Sequence, residues 1–337
     1  MDYAVVWFVI LGVLLTGYAI LDGFDLGVGV LHLFVRGEKE KRIALNSIGP
    51  LWDGNEVWLV TFVGALFAGF PDAYATSLSA MYLPVIVLLF SLIGRAISIE
   101  FRSKRPSSAW RAYWDFSFFL SSTTVLFVFG VAAGNAMLGI PLDQDFEYTG
   151  GLFDLLSPYP IAVGLFAVAT AAMHGSIFLY LKTEGELGDE VRGFMWRTFF
   201  VFLAAYVLVS ALSLLLCPHV IDNFVRWPAA WIIVALNVLA VANIPRAIHR
   251  GRPGYAFVSS SCTIAALVFL FGMALFPNLV VSSSAHPSIT VHNAASSDET
   301  MGLLLIIAAI GIPFVATYTA IVYWVFRGKV KLGKFSY

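Results

Sequence analysis

Long apolar runs alternate with short polar segments along most of this chain. A helix that crosses a lipid bilayer needs about 20 mostly apolar residues. Nine runs in the sequence predict transmembrane helices, near residues 4–34, 51–70, 78–99, 116–138, 160–181, 198–217, 228–245, 256–277 and 301–326. The run at 51–70 is the weakest of these predictions, because Asp53 and Glu56 lie at its start.

The basic residues fall almost entirely on one of the two sides that nine helices would create. Eighteen of the 20 Lys and Arg residues lie in the loops after runs one, three, five and seven or in the C-terminal tail. Because Lys and Arg in short loops mark the cytoplasmic side, the pattern predicts an outside N-terminus and a cytoplasmic C-terminus. It also favours keeping the run at 51–70, since without it the first two basic loops would lie on opposite sides.

The composition agrees with a membrane protein and excludes several other classes. Hydrophobic residues make up 59% of the chain and charged residues only 12%, whereas soluble domains carry about 25% charged residues. The two cysteines, Cys217 and Cys262, have no spacing typical of zinc or iron–sulfur sites. No P-loop, GxGxxG, HExxH or GxSxG motif occurs, so nucleotide chemistry, hydrolysis and a nucleic-acid partner are not expected.

Two longer outside loops divide the predicted helices into groups. We predict a first four-helix unit at 1–138, an outer loop at 139–159, a second four-helix unit at 160–277, and an outer loop, ninth helix and basic tail at 278–337. A short similarity between Val125–Gly130 and Leu267–Gly272 is typical of a parallel repeat of the two units.

Charged residues cluster within or at the ends of the first four runs, all toward the predicted cytoplasmic side. They are Asp22, Asp25, Asp53, Glu56, Arg95, Glu100 and Asp115. Charge at membrane depth is costly and by default indicates function. The one-sided placement favours a proton path that starts at the cytoplasm and ends inside the protein, because a channel would need polar residues at both depths.

Two interpretations of this carboxylate cluster remain open from the residues alone. Burial among apolar helices favours the protonated form of a carboxyl group, so Arg95 could hold one carboxylate ionised while a neighbour relays protons. Alternatively, Arg95 and one Asp form a structural ion pair. The other carboxylates would then be interfacial residues at helix N-termini, where the helix dipole favours negative charge.

Two further features concern helix packing and haem. Gly23 and Gly27 flank Asp25 and form a small-xxx-small face that lets another helix approach closely. His174 lies well inside the fifth run and is interpreted either as a haem ligand or as a hydrogen-bonded core residue. Since no second ligand at matching depth stands out, haem binding by this chain alone is not expected.

Four segments of the chain resemble a known family. They are Leu21–Gly29, Asn46–Trp58, Arg95 with Glu100–Lys104, and Trp114–Asp115. Together with the nine-helix layout, the Asp-Gly-Phe-Asp and Trp-Asp-Gly-Asn-Glu strings resemble subunit II of the cytochrome bd ubiquinol oxidase family. The resemblance covers essentially the whole chain, and its specific motifs lie in the first 115 residues.

This resemblance implies an all-α membrane fold of two four-helix bundles plus one peripheral helix, in a bacterial or archaeal cytoplasmic membrane. It implies a haem-free subunit that packs on a haem-bearing subunit I, where haems b and d and quinol oxidation belong. Small accessory subunits and membrane lipids are further expected partners. No cofactor is expected on this chain itself, apart from a structural quinone or lipid.

The resemblance also implies roles for individual residues. Asp53 and Asp25 match positions that the family assigns to a proton path, and Arg95 matches a charged position nearby. We expect Asp53 to take a proton from cytoplasmic water and Asp25, tuned by Arg95, to pass it toward the oxygen-reducing haem of the partner. The further expected path residues are Asp22, Glu56 and Glu100. The alternatives are a proton-coupled secondary transporter, which predicts polar groups and broken helices in both halves, and a scaffold subunit with dispensable carboxylates.

Overall fold

Helices account for nearly all the regular structure of residues 2–333, which are the residues that the computed structural model describes. The helices are α1 (Tyr3–His32), α2 (Glu38–Ile48), α3 (Trp52–Gly69), α4 (Pro71–Ala80), α5 (Tyr82–Phe101), α6 (Ser108–Leu138), α7 (Pro158–Lys182), α8 (Gly185–Leu216), α9 (Asp222–Arg226), α10 (Trp231–His249), α11 (Pro253–Leu275) and α12 (Asp298–Val325). A short antiparallel hairpin pairs β1 (Asn278–Val280) with β2 (Ile289–Thr290). Lys334, part of the predicted basic tail, lies outside the described residues.

Eight helices of this described part are long and apolar enough to cross a membrane: α1, α5, α6, α7, α8, α10, α11 and α12. The predicted run at 51–70 forms α3, which meets α4 at an angle of 120°. Phe70 leaves the helical conformation between them because Pro71, which starts α4, disfavours it. The bent pair is the ninth candidate span, and the prediction of an all-α membrane fold is confirmed.

Helix α2 lies in a segment that the sequence analysis treated as a loop. It buries Ala44, Leu45 and Ile48 while Glu38 and Lys39 stay exposed. These apolar residues share one face because their spacing matches the helical period. Its single apolar face distinguishes α2 from the spanning helices, whose apolar residues face all directions.

The two halves of the chain meet where α1 crosses α7. A Cβ atom on Gly27 would collide with the backbone carbonyl of Ala171 and lie 3.0 Å from the Cα of Gly175. Only glycine permits this backbone approach, since any side chain would push the helices apart. A Cβ on Gly23, by contrast, would meet no heavy atom within 4 Å. The division into units at 1–138 and 160–277 stays a prediction.

One end of the helices is closed by loops and the hairpin. Trp7, Phe70, Leu142, Ile289 and Met301 belong to one buried apolar cluster there. The indole Nε1 of Trp7 donates to the carbonyl of Met301 at 3.0 Å, which ties the N-terminal end of α12 to α1. The end away from the basic loops is therefore filled with apolar side chains.

Candidate functional site

Arg95 lies near the inner end of α5 and pairs with carboxylates from two other helices. Its Nη1 donates to Asp22 Oδ1 of α1 at 2.6 Å, and its Nη2 donates to Glu56 Oε1 of α3. The side chains of Arg95 and Asp22 are fully buried, and that of Glu56 is 25% exposed. A buried ion pair of this kind is costly to break, because the remaining charge would have no water around it.

Asp25 lies one turn further along α1 and is held by neutral groups. Its Oδ2 accepts a hydrogen bond from Asn55 Nδ2 at 2.7 Å. The same amide nitrogen also donates to the carbonyl of Leu21 at 3.2 Å, and the amide oxygen accepts from the Tyr323 hydroxyl at 3.0 Å. Asp25 Oδ1 is buried and has no hydrogen-bond partner within residues 2–333. One carboxyl oxygen of Asp25 is thus fixed, and the other is uncommitted.

The Arg95 cluster, defined as Asp22, Asp25, Glu56 and Arg95, contains three carboxyl groups and one guanidinium group. One cation cannot neutralise three carboxylates, and unpaired charge in an apolar interior is costly. Protonation of one carboxyl group removes part of the excess negative charge. In the described part of the chain Asp25 has no ion pair, so this arrangement can hold a proton there.

Asp53 and Glu100 lie outside the ion pairs of Arg95. Asp53 is exposed in the first turn of α3, whereas its neighbour Asn55 is buried against α1. Glu100 is half-buried close to the end of α5. The structure therefore separates an exposed carboxylate, Asp53, from the buried Arg95 cluster.

A second charge network joins four segments at the end of the helices that carries the basic loops. The Asp115 cluster consists of His32, Glu38, Lys41, Arg102, Arg111 and Asp115. Asp115 accepts hydrogen bonds from His32 Nε2 at 2.6 Å, from Lys41 Nζ at 3.0 Å and from Arg102. Arg102 also reaches both carboxylate oxygens of Glu38 at 3.0 Å. Asp115 therefore ties α1, α2 and α6 to the turn after α5.

His174 is a hydrogen-bonded core residue of α7. Its Nδ1 lies 2.7 Å from Ser260 Oγ, and its Nε2 lies 3.2 Å from the carbonyl oxygen of Ile20. The ring also stacks on Phe257, with centroids 4.9 Å apart. Because both ring nitrogens contact protein atoms, this geometry leaves neither nitrogen for an iron atom, and the haem-ligand interpretation of His174 is not supported.

Two residues of the site were missed by sequence reasoning. Asn55 lies within the Trp-Asp-Gly-Asn-Glu string, but as a neutral residue it did not stand out beside Asp53 and Glu56. Tyr323 lies near the inner end of α12, where a tyrosine is ordinarily interpreted as an interface anchor. Only the folded chain brings the two together.

The fold and its buried charge clusters define a multi-pass α-helical membrane protein with ionisable side chains gathered toward one end. Residues 3–326 match the family model for cytochrome bd terminal oxidase subunit II. The chain belongs to this family, and the resemblance seen in its sequence motifs is confirmed.

Individual relatives match over nearly their whole length. The chain is 35% identical to cytochrome bd-I ubiquinol oxidase subunit 2 of Escherichia coli (strain K12), over 98% of this chain and 96% of that protein. It is also 35% identical to cytochrome bd ubiquinol oxidase subunit 2 of Bacillus subtilis (strain 168), over 96% of each. A chain in the structure of bd oxidase from Geobacillus thermodenitrificans has the same fold, with a TM-score of 0.80, 18% identity and coverage of 97% of this chain and 99% of that one.

Proposed function

We propose that this chain is the haem-free subunit II of a cytochrome bd-type quinol:oxygen oxidoreductase in a bacterial cytoplasmic membrane. It packs on a haem-bearing subunit I, with its N-terminus outside and its C-terminus in the cytoplasm. Haems b and d would supply the electron transfer and oxygen chemistry in that partner. The family membership and the near-full-length similarity to subunits 2 of bd oxidases support this assignment. The engaged nitrogens of His174 support placing the haems in the partner.

Within this complex the chain supplies part of the cytoplasmic proton path for reducing oxygen to water. The observation that carries this proposal is Asp25, a buried carboxyl group with one oxygen uncommitted. Asp53, exposed in the first turn of α3, takes protons from cytoplasmic water. Asp25 receives them and passes them toward the partner subunit, while Arg95 sets the charge around it. The further path residues are Asp22, Glu56 and Glu100.

The closed outer end supports one-sided proton uptake. Apolar side chains fill the end of the helices that carries the hairpin, where Trp7, Phe70 and Met301 pack together. Protons therefore reach the Arg95 cluster from the end with the basic loops. Turnover then builds a proton gradient by taking up protons on one side, without a pump.

A proton-coupled secondary transporter is the alternative function. Such transporters place polar groups and broken helices in both repeats. Among residues 2–333, the buried Asp and Arg side chains all lie between residues 22 and 115. The buried polar groups of the second half are histidine, hydroxyl and amide side chains, such as His174 and Ser260. This asymmetry favours the oxidase subunit.

The test starts with the complex purified through a tag on this chain in mild detergent. A haem-rich partner with b- and d-type absorption in the reduced-minus-oxidised spectrum is the expected result. A colourless chain that purifies alone and intact would contradict the oxidase assignment and favour the transporter.

The second step measures quinol-dependent oxygen consumption per haem. Asp25→Asn is expected to slow turnover about 100-fold or more, since positioned proton transfer contributes about 10²–10⁴-fold to enzyme rates. Asp53→Asn should also slow it, whereas Asp72→Asn, an exposed carboxylate at the start of α4, should not. Wild-type rates for Asp25→Asn and Asp53→Asn in assembled complexes would refute the proton path.

A further inference from the structure

We infer that Asn55 and Tyr323 together position Asp25, with the inner end of α12 as their support. This inference rests on the proposed proton path and extends it to two neutral side chains. They come from helices far apart in the chain, since Tyr323 follows Asn55 by 268 residues. In this role neither Asn55 nor Tyr323 relays protons, and both act by positioning Asp25.

The amide of Asn55 has one orientation that satisfies its neighbours. Its nitrogen only donates hydrogen bonds, and its oxygen only accepts them. The oxygen accepts from the Tyr323 hydroxyl, and the nitrogen donates both to Asp25 Oδ2 and to the Leu21 carbonyl. Turning the amide over would place its oxygen against these two acceptors. The Leu21 carbonyl and Asp25 Oδ2 therefore select the orientation in which Asn55 donates to Asp25, and the Tyr323 hydroxyl holds the amide in that orientation by donating to its oxygen.

Helix α12 is mostly exposed, and near Tyr323 it packs through Val322 and Tyr323 on the apolar cluster around Phe24. Of the residues Asp298–Val325, Met301 is the one that is buried. Met301 lies 22 residues before Tyr323, about 33 Å away along a helix that rises 1.5 Å per residue. The contact between α12 and Trp7 at the outer end therefore cannot fix the position of the Tyr323 hydroxyl. Contacts at the inner end must do so.

Two lysines, here called the lysine clasp, fix the inner end of α12 against α7. Lys182, the last residue of α7, donates to the carbonyl of Phe326, which caps α12, at 2.6 Å. Lys329 in turn donates to the carbonyls of Tyr180 at 3.0 Å and Thr183 at 2.5 Å, at the end of α7. Each lysine donates to carbonyls at the C-terminal end of the other helix, and its charge suits the negative end of the helix dipole.

The lysine clasp, the Tyr323 phenol and the Asn55 amide form a series of contacts that ends at Asp25. Phe326 lies three residues after Tyr323, so the clasp holds the same helical turn that presents the hydroxyl. Asn55 then keeps Asp25 Oδ2 bonded and leaves Oδ1 as the oxygen that exchanges protons. Loss of the Tyr323 hydroxyl leaves the Asn55 amide oxygen without this donor and holds the amide less firmly, and proton transfer through Asp25 slows.

The deciding variant is Tyr323→Phe, measured in the purified complex. A hydrogen bond of ordinary strength corresponds to a rate factor of about 2 to 12, so kcat for oxygen consumption should fall by about that factor. The KM for quinol and the haem content should not change. The ratio of rates in H2O and D2O should rise, because proton transfer becomes more rate-limiting. Tyr318→Phe, an exposed phenol on the same helix, is the matched control and should match wild type.

Two more variants extend the series. Lys329→Met loosens the clasp and should lower kcat in the same direction as Tyr323→Phe, with the same rise in the isotope effect. Asn55→Asp replaces the donating nitrogen by an acceptor and should lower kcat more than either. Wild-type kcat and isotope effect in Tyr323→Phe, beside an inactive Asp25→Asn, would overturn this inference and leave the proton path standing.

Two other outcomes separate the inference from the proposal it rests on. Loss of haem or of the partner in Tyr323→Phe and Lys329→Met, with kcat per remaining haem unchanged, would show a purely structural role and overturn the inference. Full activity of Asp25→Asn would overturn the proton path itself, and the positioning role would fall with it.

Discussion

The Arg95 cluster and the Asp115 cluster are two charge networks that share helix α1 and have opposite charge balance. The Arg95 cluster has one cationic side chain for three carboxyl groups. The Asp115 cluster has three Lys and Arg side chains, and His32, for two carboxylates. Both oxygens of Asp115 accept hydrogen bonds from basic side chains, whereas one oxygen of Asp25 accepts none within residues 2–333.

If the proposed proton path through Asp25 holds, this difference means that burial alone does not make a site for proton transfer. Asp115 is almost fully buried, yet the surplus of cationic donors around it keeps it ionised and fixed. This arrangement favours a structural role for Asp115. Asp25 is buried in a cluster that has fewer cationic than carboxyl groups, and this charge balance favours the proton-binding role proposed for it. The number of cationic side chains around a carboxyl group therefore distinguishes the two proposed roles.

The largest effect is expected from Arg95→Met, which removes the one cation of the Arg95 cluster. Asp22 would stay fully buried without its partner, and breaking such a pair costs about 3–5 kcal/mol. We expect a lower yield of assembled complex and a lower Tm in thermal unfolding of the purified complex. Adding Asp22→Asn to this variant should recover part of the Tm, and no recovery would contradict the pairing.

A smaller loss of stability, without loss of turnover, is expected from Asp115→Asn. Arg102 keeps Glu38 as a partner, while His32 and Lys41 lose the carboxylate. Hydrogen bonds to charged groups contribute about 1.5–3 kcal/mol each to stability. Tm should fall, and oxygen consumption per haem should stay within about 2-fold of wild type. A drop in turnover like that of Asp25→Asn would erase the distinction between the clusters.

The smallest effect is expected from Lys41→Met at the rim of the Asp115 cluster. The Lys41 side chain is 22% exposed, and ion pairs in contact with water contribute about 1 kcal/mol or less. Salt screens such pairs. The Tm difference from wild type should therefore be small at low ionic strength and smaller still in high salt. A large Tm difference that does not depend on salt would mean that Lys41 belongs to the buried core.

The sequence was sufficient for the long spanning helices but not for the short helices or for the contacts between helices. Long apolar runs predict transmembrane helices, so the spans near α1, α5 and α6 were predicted closely. The bend after α3 was not foreseen, although Pro71 is its local cause. The short helix α2 was missed because its apolar face is brief and lies among charged residues.

The candidate site was predicted in part, for a related reason. Charge at membrane depth singled out Asp22, Asp25 and Arg95, and the structure brings Asp22 and Arg95 into direct contact. The sequence could not show that the Asp53 side chain is exposed. The spacing of residues along a helix shows which of them share a face, but not which face is buried in the protein. A neutral residue such as Asn55 does not stand out at membrane depth as a charged residue does. Only its contacts in the folded chain therefore show that it belongs to the site.

The position of Tyr323 also sets the order in which the site is completed as the ribosome makes the chain. Asn55 is synthesised 268 residues before Tyr323, which takes roughly 15 to 50 s at bacterial translation speeds. During that interval Asp25 and Asn55 can already meet in the membrane, but their last hydrogen-bond donor does not yet exist. The site therefore closes only after Tyr323 has been made, and a product truncated before this residue would lack that final donor.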